Sequence, residues 1–172
     1  MFKSGDLVTF TDNLTLFDGN ICLFTFKGKL VKDPYDKPGR QWVVMAVIPP
    51  RVYANADALL LLCPIAEGPR DHEGESSLEL PEGTFGLIDH DTYFQRGAAT
   101  VAPESSLRPW FIATKAKSKQ SVHCLSGQPE WPAMEKAFWK LWGKAVEHPV
   151  KRWNKLVEDR AKPKAAKPPK KK

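Results

Sequence analysis

Two apolar runs constrain this chain more than anything else in it: "QWVVMAVI" at 41–48 and "ALLLLCPI" at 58–65. Neither alternates between apolar and polar side chains, so each reads as an element covered on both faces. Such a run can belong to a buried strand or a buried helix, and brevity and flanking prolines decide for strand. Pro49 and Pro50 end the first run, because neither can donate to a ladder, and Pro64 closes the second. Only "PPRVYANAD" separates them, so two central strands follow each other within one short loop.

The rest of the front of the chain repeats this scale. "DLVTFTD" alternates, with Val8 and Phe10 on one face and Leu7 and Thr9 on the other. "NICLFTFKGKLV" sets Ile21, Leu23 and Thr25 against Cys22, Phe24 and Phe26, and Lys27-Gly28-Lys29 marks a turn or bulge. "KDPYDKPGR" and "EGPRDHEGE" are loops, "SSLEL" and "TFGLIDHDTYF" are further β-type runs, and "WFIAT" is a last short strand after the connecting segment "QRGAATVAPESSLRP". About six short strands with turn-rich links point to an antiparallel barrel or sandwich, not to a parallel sheet with crossover helices. Closing such a sheet into a barrel removes its edges.

Beyond residue 130 the period changes. Met134, Phe138, Leu141, Trp142 and Ala145 recur at helical spacing, with Lys136, Lys140 and Lys144 on other faces. Pro132 suits a first turn. Pro149 is expected to break this helix, with His148 capping it, and "PVKRWNKLVEDRA" to form a second one on Val150, Trp153 and Leu156 or Val157. The tryptophans are read first as docking the helix on the β body, with a dimer face or stacking on bases as the alternatives. The resulting division is a β unit over 1–114, a basic linker over 115–130, helices over 131–161 and a disordered Lys/Pro tail over 162–172.

Charge follows the same division. Residues 1–114 carry 10 basic and 15 acidic side chains, residues 115–161 carry 10 and 5, and "KPKAAKPPKKK" adds six lysines and no acid. That tail repels itself and lacks the apolar side chains of a core, so it is read as disordered, either as a tether for phosphate or as a solubilising end. No apolar run approaches the ~20 residues that span a bilayer. Cys22, Cys63 and Cys124 are odd in number and widely spaced, which fits a reduced, cytoplasmic protein with neither a zinc site nor a cofactor. Cys63, between a leucine and a proline, reads as a small core residue.

"SGDLVTF", "GRQWVVMAVIPPRVYANADALLLLCPIAEG" and "SSLELPEGTFGLIDHDTYFQRGAATVAPESSL" together resemble the MazF/PemK family over roughly residues 4–108. The resemblance implies a small SH3-like barrel, most members being sequence-specific endoribonuclease toxins that pair as homodimers and answer to an antitoxin. It implies cleavage by attack of a 2′-hydroxyl on the adjacent phosphate without a metal. That chemistry requires a base, an acid for the leaving 5′ oxygen and cations around phosphorus. The arginine opening the long apolar strand maps to Arg40. Ala66 stands where the family carries a Thr or Ser, Asp89 where it carries an arginine, and Asp91 at its acidic position. His90 is a candidate base or acid near neutral pH, although as strand neighbours His90 and Asp91 point to opposite faces.

Two functions stay open on these residues. One is a ribonuclease with its site rebuilt around Arg40, His90 and Asp91. The other is a catalytically silent barrel that binds nucleic acid, RNA or DNA, through its basic half and a protein through its acidic face. In either case Arg51, the "TKAKSKQS" lysines Lys115, Lys117 and Lys119, and the tail lysines Lys170, Lys171 and Lys172 are the candidate phosphate contacts.

Overall fold

A computed structural model of the protein describes residues 1–11, 22–32, 41–48, 58–66, 78–80, 92–110 and 124–161. It is mainly β, with helices at the C-terminal end. The strands are β1 Leu7–Phe10, β2 Cys22–Thr25, β3 Leu30–Lys32, β4 Gln41–Ile48, β5 Leu59–Ala66, β6 Leu78–Leu80, β7 Thr92–Phe94, β8 Ala98–Pro103 and β9 Leu107–Pro109. The helices are α1 Trp131–Trp142 and α2 Glu147–Ala161, joined by a 3₁₀ turn at Gly143–Val146.

All the strand pairs are antiparallel, and the main path runs β3-β2-β8-β5-β4-β1-β9, with β7 added to β5 and β6 to β7. The two apolar runs are the central pair, aligned from Gln41↔Ile65 to Ile48↔Leu59 with a register shift between Val44 and Ala46. The path does not close among the described residues: β3 and β9 lie at its two ends. The closed barrel expected from the sequence is therefore corrected to an open sheet.

That open sheet is strongly coiled. Pro103 ends β8 and Leu107 begins β9, with one 3₁₀ turn between them. Yet β8 and β9 are four ladder steps apart, about 19 Å in a flat sheet. Register separates them further. Pro103 faces Leu59, which faces Ile48, whereas Leu107 faces Phe10, beyond the Val8↔Trp42 pair at the other end of β4. Four residues reach at most about 14 Å, so the sheet must curl to bring β8 and β9 within reach of each other.

The curl explains why both faces are apolar. Val8, Phe10, Trp42, Val44, Leu60, Leu62, Ala98, Ala102 and Leu107 form one buried cluster drawn entirely from strands, and Phe10 meets Trp42 edge to face at 5.8 Å. The alternate residues Leu7, Val43, Met45, Leu61, Cys63, Ile65, Phe94 and Val101 form a second cluster that Leu125 and α1 complete. There Phe138, fully buried, stacks on Trp142 at 5.6 Å and lies 6.3 Å from Phe94. The Trp142 indole N–H donates to the Arg96 carbonyl at 2.8 Å. The tryptophans thus dock the helix on the sheet, as the helical spacing predicts. Leu125, buried, and the bridge between Asp6 and Cys124 tie the segment before α1 to the sheet as well.

Three local expectations change. The helix breaks at Gly143 (φ 39°), not at Pro149. Pro149 sits in the first turn of α2, where its missing N–H has no intrahelical partner to lose. His148 therefore belongs to α2 and caps nothing before it. Finally, "AATVAP" and "LRP" are strands where the sequence suggests a connecting segment, and residues 111–114 of "WFIAT" lie outside the described residues.

Candidate functional site

The hairpin β2–β3 is held by a tight turn. Gly28 donates to the Thr25 carbonyl at 2.8 Å and Thr25 to the Lys29 carbonyl at 2.9 Å. The Lys29 N–H donates to the buried Thr25 hydroxyl at 3.1 Å. Gly28 takes φ 80°, in the left-handed region that side chains disfavour. The turn follows from "TFKGK": Thr25 supplies a side-chain acceptor and Gly28 the reversed φ. Lys27 and Lys29 stand exposed on it, with the Lys27 ammonium 5.5 Å from the Phe26 ring centre.

Helix α2 runs past this turn. Val150 and Trp153, with Val146 just before the helix, pack toward the sheet. His148, Lys151, Arg152 and Lys155, spaced i, i+3, i+4 and i+7, share the other side of the helix. Hairpin and helix together enclose an open cleft of about 370 Å³ lined by Phe24, Gly28, Leu30, His148, Lys151, Arg152 and Lys155. Gly28 and the His148 ring adjoin each other: a Cβ on Gly28 would stand 3.5 Å from the imidazole.

The cleft's electrostatics are one-signed. None of its lining residues is acidic. Lys151 pairs with Glu147 at 3.2 Å, one turn back and well exposed, so its charge is only partly offset. Arg152 and Lys155 make no ion pair among the described residues. A concave cationic surface of this kind attracts phosphate, and each phosphate neutralised releases counterions. No cluster of three or more His, Cys, Asp or Glu residues able to hold a metal occurs among the described residues. Nor is any helix there long and apolar enough to cross a membrane. Cys63 is buried and directs its thiol at the Gln95 carbonyl at 3.4 Å, which is the core role its neighbours in sequence suggest.

The residues singled out from the sequence, Arg40, His90 and Asp91 together with Arg51, Lys115, Lys117, Lys119, Lys170, Lys171 and Lys172, lie outside the described residues. Those that the cleft brings together are a different set. Their signal is local: "HPVKRWNK" interleaves an apolar set at 150 and 153 with a basic set at 151, 152 and 155. The partner wall, the β2–β3 hairpin, is more than a hundred residues away in sequence, and no local pattern announces that it meets α2. No protein-family model, no curated protein and no solved structure matches the chain.

Proposed function

We propose that this chain binds nucleic acid, holding the phosphate backbone in the cleft between the β2–β3 hairpin and α2. The observation that carries the reading is the pair Arg152 and Lys155, which line a concave surface with no carboxylate in it and no ion-pair partner among the described residues. Lys151 and His148 extend the same surface, and the six lysines after α2 continue its sign in sequence. The acidic balance of residues 1–114 makes this concentration of positive charge in the last third of the chain more marked.

The test is titration of labelled RNA and DNA oligonucleotides with the full chain, followed by fluorescence anisotropy, across salt. Replacing Lys151, Arg152 and Lys155 together by alanine should weaken binding and flatten its dependence on log[salt] by a slope of about 2–3, as expected for three lost phosphate contacts. All three are exposed, and alanine favours helix, so the fold should persist. Unchanged affinity and slope in that variant would refute the reading.

A second reading is favoured by one observation. The coiled sheet that carries β9 back toward β8, with the two apolar strands at its centre, suits the small SH3-like body of the MazF/PemK resemblance. On that reading the protein is a metal-independent endoribonuclease. A base, with His90 as the candidate, takes the 2′-hydroxyl proton, the 2′ oxygen bonds to the adjacent phosphorus as the phosphorus–5′ oxygen bond breaks, and a general acid protonates the leaving 5′ oxygen, which leaves a 2′,3′-cyclic phosphate. Arg40 neutralises the phosphate and Asp91 orients His90. Ala66 and Asp89 remove a hydroxyl and a cation that the family supplies there, which tells against it. Total RNA incubated with the protein in chelator decides: fragments that disappear with Arg40→Ala support cleavage, and intact RNA retained on the protein supports binding alone.

A further inference from the structure

The hairpin–α2 cleft is two-sided, and electrostatics explains only one side. Lys151, Arg152 and Lys155 make a cationic wall, with the His148 ring beside it. Phe24 and Leu30, from β2 and β3, make an apolar one. Phe24 is buried and forms the floor, but Leu30 is 39% exposed, one of few large apolar side chains left so open among the described residues. A duplex backbone would meet the cations and leave that apolar wall in water, because its bases are stacked inward. A ligand with a flat apolar part beside an anion would satisfy both walls. The cleft volume, about 370 Å³, is at the small end of ordinary ligand pockets and suits one nucleotide rather than a helix of nucleic acid.

We infer that the cleft seats one unpaired nucleotide of a single strand, its phosphate on Arg152 and Lys155 and its base against Leu30 above Phe24. This rests on the nucleic-acid reading above and narrows it to a strand whose bases are free. Gly28 keeps the hairpin turn low against the His148 ring, which leaves that ring beside the same space as a further planar surface. The specificity that follows is for unpaired structure, not for sequence, since every base has a face to stack.

The experiment uses the full chain and three probes of equal length: a single strand, the same strand in a duplex, and the same strand with abasic sites. The intact single strand should bind about threefold tighter than either of the others, below the scale of a base stacked on an aromatic ring because Leu30 is aliphatic. Leu30→Ala should erase that preference, bringing intact single-strand affinity down to that of the duplex. Leu30→Trp, which offers a larger stacking surface, should raise single-strand affinity alone, a gain that misfolding cannot produce. Adenosine monophosphate should displace the strand at concentrations where inorganic phosphate does not. Equal binding of the three probes, indifference to both Leu30 substitutions, or equal displacement by the two competitors would overturn the nucleotide seat while leaving backbone binding standing. Undiminished affinity on substituting Arg152 and Lys155 would overturn both.

Discussion

Phe138→Ala tests the contact on which the helical half depends. Phe138 is fully buried, stacked on Trp142 at 5.6 Å and 15°, and edge-on to Trp139 at 5.1 Å. A buried phenylalanine removes about 150–250 Å² from water, which at ~25 cal/mol per Å² gives about 4–6 kcal/mol for the whole side chain. Measured Phe→Ala losses in cores run at about 3–5 kcal/mol, so a loss of ~4 kcal/mol is expected. That is a large share of a domain's roughly 5–15 kcal/mol. Urea unfolding followed by far-UV circular dichroism measures it. Phe138→Leu, which refills most of the volume, should cost under about 1.5 kcal/mol. If Phe138→Ala cost less than ~1 kcal/mol with the helical signal intact, α1 would not be docked on this face of the sheet, and the route by which α2 reaches the hairpin would fall with it.

Gly5→Ala and Gly28→Ala should differ in severity. Both glycines have positive φ, but a Cβ on Gly5 would stand 2.7 Å from the Ser126 amide nitrogen, whereas on Gly28 it meets only the His148 ring at 3.5 Å. Gly28→Ala should therefore cost about 1–2 kcal/mol of backbone strain and Gly5→Ala clearly more, by thermal melting. Glu104→Ala removes the acceptor of the Phe2 N–H at 2.7 Å and the ion partner of the amino terminus at 3.4 Å. It should lower stability by about 1–2 kcal/mol in urea. Glu147→Gln releases Lys151 from the carboxylate beside it. At a separation of ~7 Å in water, removing one negative charge that repels phosphate is worth about 0.6 kcal/mol, so oligonucleotide affinity should rise two- to threefold at low salt and converge with the parent at high salt.

Much of the framework is legible in the residues alone. "QWVVMAVI" and "ALLLLCPI" are neighbouring buried strands, because a short run apolar on both faces has few other uses, but Pro64 does not end the second: β5 runs through it to Ala66. Val8 and Phe10 share a face, and Lys27-Gly28-Lys29 turns the hairpin. "AATVAP" carries no such signal, because alanine has little β preference on its own. Its small side chains make sense only between two apolar layers, where Ala98, Ala99 and Ala102 are fully buried. The helix break is hidden too: Pro149 has the look of a terminator, whereas Gly143 with its positive φ ends α1 and the proline fits a first turn.

The candidate site divides the same way. The charge partition and the basic face of "HPVKRWNK" are written in local order, since helical period alone sets which side chains share a side. That the cations face Leu30 and Gly28 across a cleft is not written there. It depends on how tightly the sheet coils and on where Phe138 and Trp142 seat α1, and both are sums over contacts between residues far apart in the chain. Periodicity fixes what each segment presents, because it arises from backbone geometry within a few residues. Which surfaces then meet is decided by burial shared among all of them at once, and only the folded molecule carries that.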